Sequence, residues 1–145
     1  MKKIFALVTV FIALGLTSCK KDEPSTSTIT TSNVTTTVSA GTWRVTYYWD
    51  TNRDETANFN GFNFTFGTSN LVSASNSLLT INGTWSIAND ESKEKLILAF
   101  TTSANFIEIS DDWHVIERTD TKIRLQDVSG GNGGTDYLTF EKNEI

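Results

Sequence analysis

Apolar and polar side chains alternate strictly in the segment that follows Gly41. From 43 to 50 every odd position is aromatic or β-branched, whereas the even positions are Arg, Thr, Tyr and Asp. A period of two over eight residues is typical of a β-strand with one face on a core. The pattern therefore predicts a strand that opens the folded domain and whose odd-numbered side chains, among them Tyr47 and Trp49, face inward.

Seven further segments of the same kind follow at spacings of roughly ten residues, with turn residues between them and no convincing long helix. They span 58–67, 71–74, 79–87, 96–100, 113–118, 123–125 and 138–140. Gly83 inside the fourth segment predicts a bend where the sheet coils. Phe106, Ile107 and Ile109 lie in a connection that we expect to cap one end of the core as a turn or short helix.

Eight antiparallel strands with one apolar face each close most naturally into an up-and-down barrel, because closure removes exposed edges. The predicted fold is therefore an all-β, eight-stranded antiparallel barrel that covers residues 41–145. Such a barrel is just wide enough for its own side chains or for one small ligand. Ten large rings are expected to point inward: Trp43, Tyr47, Trp49, Phe62, Phe64, Phe66, Trp85, Phe100, Trp113 and Phe140.

The crowding of these rings leaves two alternatives, a packed core or a small aromatic pocket. A surviving pocket would suit a hydrophobic molecule held by few polar contacts. The candidate mouth lies near Tyr47, Trp49 and Phe66. The full set of candidate ligand-binding residues is Trp43, Tyr47, Trp49, Phe66 and Trp85.

The first eighteen residues have the composition of an export signal. Lys2 and Lys3 form a basic start, and 4–16 is an apolar run that is short for a membrane span but suitable for a secretory signal. The run ends in Leu-Thr-Ser-Cys at 16–19, which resembles the bacterial lipobox. The resemblance implies cleavage before Cys19 and acylation of its thiol, and two or more lipid chains are enough for stable anchoring. A plain signal peptide or an uncleaved anchor helix is the alternative.

Residues 19–40 are predicted to be a flexible tether. Eleven of the fifteen residues in 25–39 are Ser or Thr. The segment therefore has too little apolar surface to offset the entropy lost on ordering. The Lys-Lys-Asp-Glu run at 20–23 resembles the surface-export signal of lipoproteins of the Bacteroidota type. That resemblance implies a lipid-anchored protein displayed on the outer face of the outer membrane. A solvated linker is the alternative interpretation of the run.

The opening triplet Gly41-Thr42-Trp43 is similar to the first motif of lipocalins, in which the tryptophan packs at the closed base of the barrel. With the lipobox and the Thr-rich tether, the chain resembles lipocalin-like lipoproteins of the Bacteroidota. The resemblance implies a late arginine over that tryptophan, and Arg118 and Arg124 are both candidates. The triplet recurs at 83–85. Two strands that use the same short sequence independently are a simpler explanation than an internal duplication.

Charge and cysteine content exclude several classes. The net charge of −5 provides no basic face for nucleic acid, and loss of Lys2 and Lys3 with the signal would make the domain more acidic. A single cysteine cannot form an intramolecular disulfide. We expect a monomer that needs no cofactor and contacts the membrane through its lipid anchor.

Catalytic and metal-binding patterns are weak. His114, the single histidine, has the parity opposite to that of Trp113 and is expected at the surface, so no acid–base or nucleophilic constellation is evident and no enzyme is predicted. Asp50, Asn52 and Asp54 have the spacing with which calcium loops begin, but the turn glycine and the final bidentate Glu of such a loop are missing. A solvated loop is the better interpretation of that segment.

The sequence thus favours a membrane-anchored, surface-exposed lipocalin-like lipoprotein that binds a small hydrophobic ligand. The alternative is a solid barrel that recognises a protein or glycan through its outer face, for which Arg44 and Tyr48 are candidates. The two hypotheses predict the same core pattern. They differ in whether the barrel interior holds a connected cavity above about 300 Å³, the lower end of the range for small-molecule sites.

Overall fold

The computed structural model describes residues 31–90, 93–128 and 134–144. The helical elements are α1 (Thr31–Val38), a 3-10 helix (Thr56–Phe59) and α2 (Ala104–Glu108). The strands are β1 (Trp43–Asp50), β2 (Arg53–Asp54), β3 (Asn63–Phe66), β4 (Leu71–Ser75), β5 (Thr80–Asp90), β6 (Lys93–Phe100), β7 (Asp112–Arg118), β8 (Lys122–Val128) and β9 (Thr135–Lys142).

The strands form a closed, antiparallel, up-and-down barrel, which confirms the predicted fold class. From β3 to β9 each strand pairs with the next along the chain, and β9 returns to pair with β1 from Trp43↔Lys142 to Trp49↔Tyr137. A single pair, Trp43↔Phe64, closes the ring between β1 and β3. The two-residue β2 pairs only with the end of β1 and is not part of the barrel wall, so the barrel has eight strands.

The predicted second strand is too long, because its first half contains the end of the 3-10 helix and the turn that follows it. Asp54 Oδ1 accepts a hydrogen bond of 3.0 Å from the Thr56 N–H, which is an Asx turn that starts the 3-10 helix. Thr56 in turn accepts a 2.8 Å bond from the backbone N–H of Tyr48. The 3-10 helix places Phe59 in the core, where the residue is 1% exposed. The helix covers the part of β1 that β3 is too short to reach.

A β-bulge in β1 reverses the side-chain alternation. Val45 is opposite Phe140 and Tyr47 is opposite Thr139, so Thr46 is one extra residue on the β1 side. Tyr48 therefore points inward and is 2% exposed, while Tyr47 is 38% exposed. The prediction that Tyr47 and Trp49 face the interior is wrong for this reason, and so is the placement of Tyr48 on the outer face.

A network of aromatic rings fills the interior. Phe106 of α2 is within 5.0–5.9 Å of four rings, those of Phe59, Phe62, Phe64 and Phe100, measured between ring centroids. Most of these contacts are edge-to-face, the arrangement that aromatic pairs prefer. As predicted, the connection after β6 caps the core, with Phe106 and Ile109 buried but Ile107 half exposed. The buried set also contains Trp43, Phe66, Trp85, Trp113 and Phe140.

Gly83 faces this interior directly beneath Phe100. A Cβ at position 83 would lie 2.5 Å from the carbonyl oxygen of Ala99 and 2.6 Å from the Phe100 ring. The glycine is thus required by the close approach of β6, which gives a specific cause for the predicted coiling of β5.

Helix α1 covers the barrel end that contains Trp43, called the base below. Val34 and Val38 are fully buried, and the Trp43 indole Nε1–H donates a 2.8 Å bond to the Val38 carbonyl. The prediction of a flexible tether up to residue 40 is therefore wrong for 31–38. Tertiary burial of the two valines overrides the low helix propensity of a Thr-rich segment.

A lysine, not an arginine, lies over Trp43. The Lys142 Nζ is 5.6 Å from the centroid of the Trp43 ring. Arg118 instead donates to Thr37 of α1, and Arg124 pairs with Glu117 on the outer face. Neither predicted arginine therefore takes the position that the lipocalin resemblance implied.

Several predictions concern residues outside the described ranges. These are the signal peptide (1–18), Cys19 with its acylation, the 20–23 run and the tether as far as residue 30. They stay predictions.

We predict that Trp43→Ala lowers the free energy of unfolding of the full chain by about 3–5 kcal/mol, because a fully buried indole and its bond to α1 are lost. Urea denaturation followed by far-UV circular dichroism measures the change. Trp43→Phe, which keeps most of the burial, is the control and should lose less. A loss below about 1 kcal/mol for Trp43→Ala would contradict the assignment of Trp43 to the core.

Candidate functional site

The structure does not gather the five predicted ligand-binding residues into one pocket. Trp43, Phe66 and Trp85 are buried near the base, at 0%, 3% and 7% exposure. Tyr47 and Trp49 lie on the outer face beyond the bulge. The predicted mouth is therefore wrong for Phe66, which belongs to the opposite end. The aromatic network fills the interior, as the packed-core alternative predicted, so candidate sites lie outside the barrel.

The first candidate is a cleft of about 550 Å³ between α1 and the turn that joins β3 to β4, called the base cleft below. Trp85 forms part of its floor and holds the turn in place. Its indole Nε1–H donates 3.1 Å to the Gly67 carbonyl, and its backbone N–H donates 2.9 Å to the Asn70 carbonyl. The lining residues are Thr35 and Ser39 from the α1 side, 65–70 from β3 and the turn, and Trp85 from β5.

The turn that forms one wall of the base cleft carries backbone strain. Ser69 and Asn70 have φ values of 56° and 61°, in the left-handed region that non-glycine residues rarely occupy. Asn tolerates this region better than Ser does. Strain of this kind persists only where surrounding contacts impose it, here the two bonds from Trp85, and it clusters at functional sites.

A second cleft, of about 500 Å³, adjoins the base cleft and shares Thr65 and Gly67 with it. It continues over the outer face of β3, β4 and β5, where the Leu71 side chain is 58% exposed. The two clefts together make a groove with an apolar residue at one end and the Trp85 floor at the other.

The second candidate is an aromatic patch on the outer face of β1, β9 and β8, called the aromatic face below. The bulge turns Tyr47 and Trp49 outward, and the pairing Trp49↔Tyr137 places a third ring beside them. Arg124 and Gln126 of β8 lie on the same face, opposite Thr139 and Tyr137. A small cleft of about 230 Å³ lies between Tyr47, Arg124 and Tyr137.

The charges around the aromatic face are paired with one another. Arg124 Nη1 is 3.0 Å from Glu117, and Glu141 is 3.4 Å from Arg44 and 3.1 Å from Lys122. Arg44 is exposed, as predicted. The face therefore offers rings and planar polar groups without a dominant charge.

Carboxylates collect at the barrel end opposite the base. Burial, together with the neighbouring Glu55 carboxylate, raises the pKa of Glu108. Asp111, Asp112 and Asp127 have oxygens within 4.8 Å of one another, the one such cluster in the described ranges. Lys95, 2.7 Å from Asp112, holds the pKa of that carboxyl below its usual range and neutralises part of the cluster.

The calcium-loop candidates have other partners. Asp54 caps the 3-10 helix through Thr56, a contact that lowers the pKa of its carboxyl, and Asn52 donates its backbone N–H to the carbonyl of Asp50. The weak metal candidates Asp50, Asn52 and Asp54 gain no support from these contacts.

No described side chain forms a nucleophile–base pair of the hydrolase kind. His114 lies on the outer face between Lys95 and Gln126, on the side that its parity predicted. Ser110 Oγ–H is engaged with the backbone carbonyl of Phe106 at 2.8 Å. None of the three described helices is long and apolar enough to cross a bilayer.

The fold has a counterpart among solved structures. The chain resembles the crystal structure, at 1.00 Å resolution, of a DUF4847 family protein from Bacteroides vulgatus ATCC 8482. The TM-score is 0.53 with 19% sequence identity, over 77% of this chain and 99% of that one. No family model matches the sequence, and no curated protein matches it. At this identity the likeness establishes the barrel fold alone.

Sequence reasoning did not select Tyr137, the strained pair Ser69 and Asn70, or Glu94 as site residues. Alternation with the buried Leu138 and Phe140 places Tyr137 on the outer face, but only the bulge in β1 brings Tyr47 and Trp49 beside it. Glu94 had a usable signal, because it shares the parity of the inward-facing Leu96 and Leu98 and is 4% exposed. A charged residue on the core parity of a strand is unusual enough to mark for inspection.

Proposed function

We propose that this protein is a membrane-anchored binding module that holds a small, mainly apolar molecule in the base cleft. The observation that carries the proposal is the cleft itself. Its volume falls within the roughly 300–1,000 Å³ of known small-molecule sites, and its walls combine Phe66 and Trp85 with a few hydroxyl groups. The ligand class is the one expected from the sequence, but the site lies outside the barrel.

The packed interior supports this relocation. A molecule inside the barrel would have to displace rings such as Phe64 and Phe106, which are buried at 0% and 2% exposure. Opening a cavity of that kind in a close-packed core is strongly unfavourable. The base cleft requires no such displacement, and its strained turn is already held in shape by Trp85.

The proposal includes a lipid anchor at Cys19 and display on the outer membrane, facing outward. The support is the lipobox-like 16–19 run and the Lys-Lys-Asp-Glu run at 20–23. The start of α1 at Thr31 leaves only a short tether between Cys19 and the barrel base. The base cleft would then lie on the membrane-proximal side of the domain, where apolar molecules are concentrated.

We expect Cys19→Ser to abolish acylation and to leave unprocessed precursor, because the thiol is the acyl acceptor. Intact mass spectrometry of the protein expressed in a Bacteroidota host distinguishes precursor, cleaved and acylated forms. Ser18→Ala, which keeps a small residue before the cysteine, is the control and should be processed normally. Processing of Cys19→Ser to the same mature form would refute the anchor.

For the base cleft we predict that native mass spectrometry of protein extracted from its own membrane detects a co-purifying, non-covalent small molecule. Thr65→Phe, which places a ring in the cleft, should lose the molecule because its volume is occupied. Thr80→Phe, the same exchange on an exposed strand position at the opposite end, should retain it. Absence of a molecule from the wild type, or its retention by Thr65→Phe, would contradict the proposal.

The bulge favours a second candidate function, recognition of a neutral glycan by the aromatic face. Aromatic rings offer flat apolar surfaces to the C–H faces of sugars, while Arg124 and Gln126 supply planar groups for hydroxyls. Because the surrounding charges are paired, a neutral partner fits this face better than a charged protein surface does.

On a glycan array we expect the full-length protein to bind neutral glycans, and Tyr137→Ala to weaken that binding by about tenfold or more, as loss of a central contact does. Leu71→Ala, an exposed change on another face, should leave it unaltered. Preferential binding to acidic glycans, binding to a protein alone, or equal binding by Tyr137→Ala would each overturn the glycan assignment.

A further inference from the structure

An unpartnered carboxylate is buried in the base of the barrel. Glu94 of β6 is 4% exposed, and neither of its oxygens has a hydrogen-bond partner in the part of the chain that the structure describes. Arg118 of β7 lies nearby, and its buried Nε is also without a partner there. Burial of unpaired polar groups is unfavourable, and it is most unfavourable for an ionised one.

Helix α1 lies against the Arg118 side of this buried polar pair. Arg118 links α1 to Glu94. Its Nη1 donates a hydrogen bond of 3.4 Å to Thr37 Oγ1 of α1, and its positive charge acts on the Glu94 carboxyl. On either side of Thr37 the buried Val34 and Val38 attach α1 to the core. Movement of α1 away from the base would hydrate Glu94 and Arg118 but would expose both valines and break the bond from Trp43 to Val38. Favourable and unfavourable changes therefore oppose each other within one short helix.

The helix has little stability of its own. Its eight residues, Thr-Ser-Asn-Val-Thr-Thr-Thr-Val, are mostly β-branched, with no acid in the first turn and no base in the last. An isolated helix of that length is marginal in water. The docked and helical states of α1 are consequently coupled, and release from the base would melt it into the tether.

We propose that α1 is a proton-controlled latch, docked on the base when Glu94 is protonated and released when Glu94 ionises. Thr35 and the adjacent Ser39 line the base cleft, so release would remove one wall of it. The consequence that ligand retention follows the latch rests on the function proposed above. The latch itself does not require a ligand.

The electrostatic surroundings of Glu94 are simple. Among the residues that the structure describes, Arg118 on β7 is the charged group that acts on it; burial raises the pKa of the Glu94 carboxyl, and the attraction of Arg118 only partly offsets this effect. Segment 31–38 contributes no ionisable side chain. On β5 the residue opposite Glu94 is Asn89, and the Lys142 ammonium of β9 is occupied with the Trp43 ring.

Docking of α1 is expected to weaken as the pH rises. The docked state holds the Glu94 proton more tightly than the released state, in which the carboxyl has an ordinary pKa near 4.3. Docking is therefore strongest below about pH 4 and weakens as the pH rises from there through the raised pKa of the docked state.

The test is hydrogen exchange of the α1 amides in the full-length, ligand-free protein at about pH 4 and about pH 8. The rates are expressed as protection factors, which removes the pH dependence of the intrinsic exchange rate. We expect the α1 protection factors to fall at least tenfold between the two conditions while those of β5 and β6 hold. Glu94→Gln should remove the dependence and keep α1 protected. Glu108→Gln, a carboxyl of raised pKa at the other end, should leave the dependence as in wild type.

A direct titration provides a measurement that does not depend on variants. The carbon-13 shift of the Glu94 carboxyl and the exchange of α1 should change with one common midpoint. Unchanged α1 protection in the wild type, persistence of the dependence in Glu94→Gln, or two separate midpoints would each overturn the latch. If the latch holds but no molecule co-purifies, the ligand proposal alone fails; a co-purifying molecule without pH-dependent α1 exchange removes the latch alone.

Discussion

The edge-to-face packing of aromatic rings around Phe106 is the interaction on which the rest of the structure depends. Phe106 arrives from a five-residue helix between β6 and β7, and it contacts rings from β3, β6 and the 3-10 segment. One side chain thus joins the cap of the barrel to its walls. Because these rings fill the interior and α1 covers the base, the candidate clefts lie on the outside of the barrel.

A single inserted residue decides which aromatic side chains remain available for binding. Thr46 bulges from β1, so Val45 and Tyr48 face the core while Tyr47 and Trp49 face out. Without the bulge the strict alternation would bury Tyr47 and expose Tyr48. The bulge also frees β1 to turn toward the 3-10 helix, whose Thr56 binds the Tyr48 N–H. The contact of β1 with the 3-10 helix and the aromatic face therefore both follow from the side-chain reversal at the bulge.

The base of the barrel combines strong and weak elements. The Trp43 indole donates a hydrogen bond to the Val38 carbonyl, and Lys142 lies over its ring. These two contacts fix the position of the first residue of β1. Next to it lies the unpaired Glu94, whose burial opposes the docking of α1. Since α1 also walls the base cleft, the cleft and the buried carboxylate lie at the same end of the barrel.

The sequence by itself determined the class of fold and the position of its strands, because a period of two depends only on which residues are apolar. All eight predicted strand segments are present, and seven of the ten rings expected inside are fully buried, with Phe62 partly so. Only the tertiary structure decided which way Tyr47 pointed, whether 31–38 was ordered, and that Glu94 lacked a partner. A bulge, a docked helix and a missing hydrogen bond are properties of contacts between distant segments, and no local pattern encodes them.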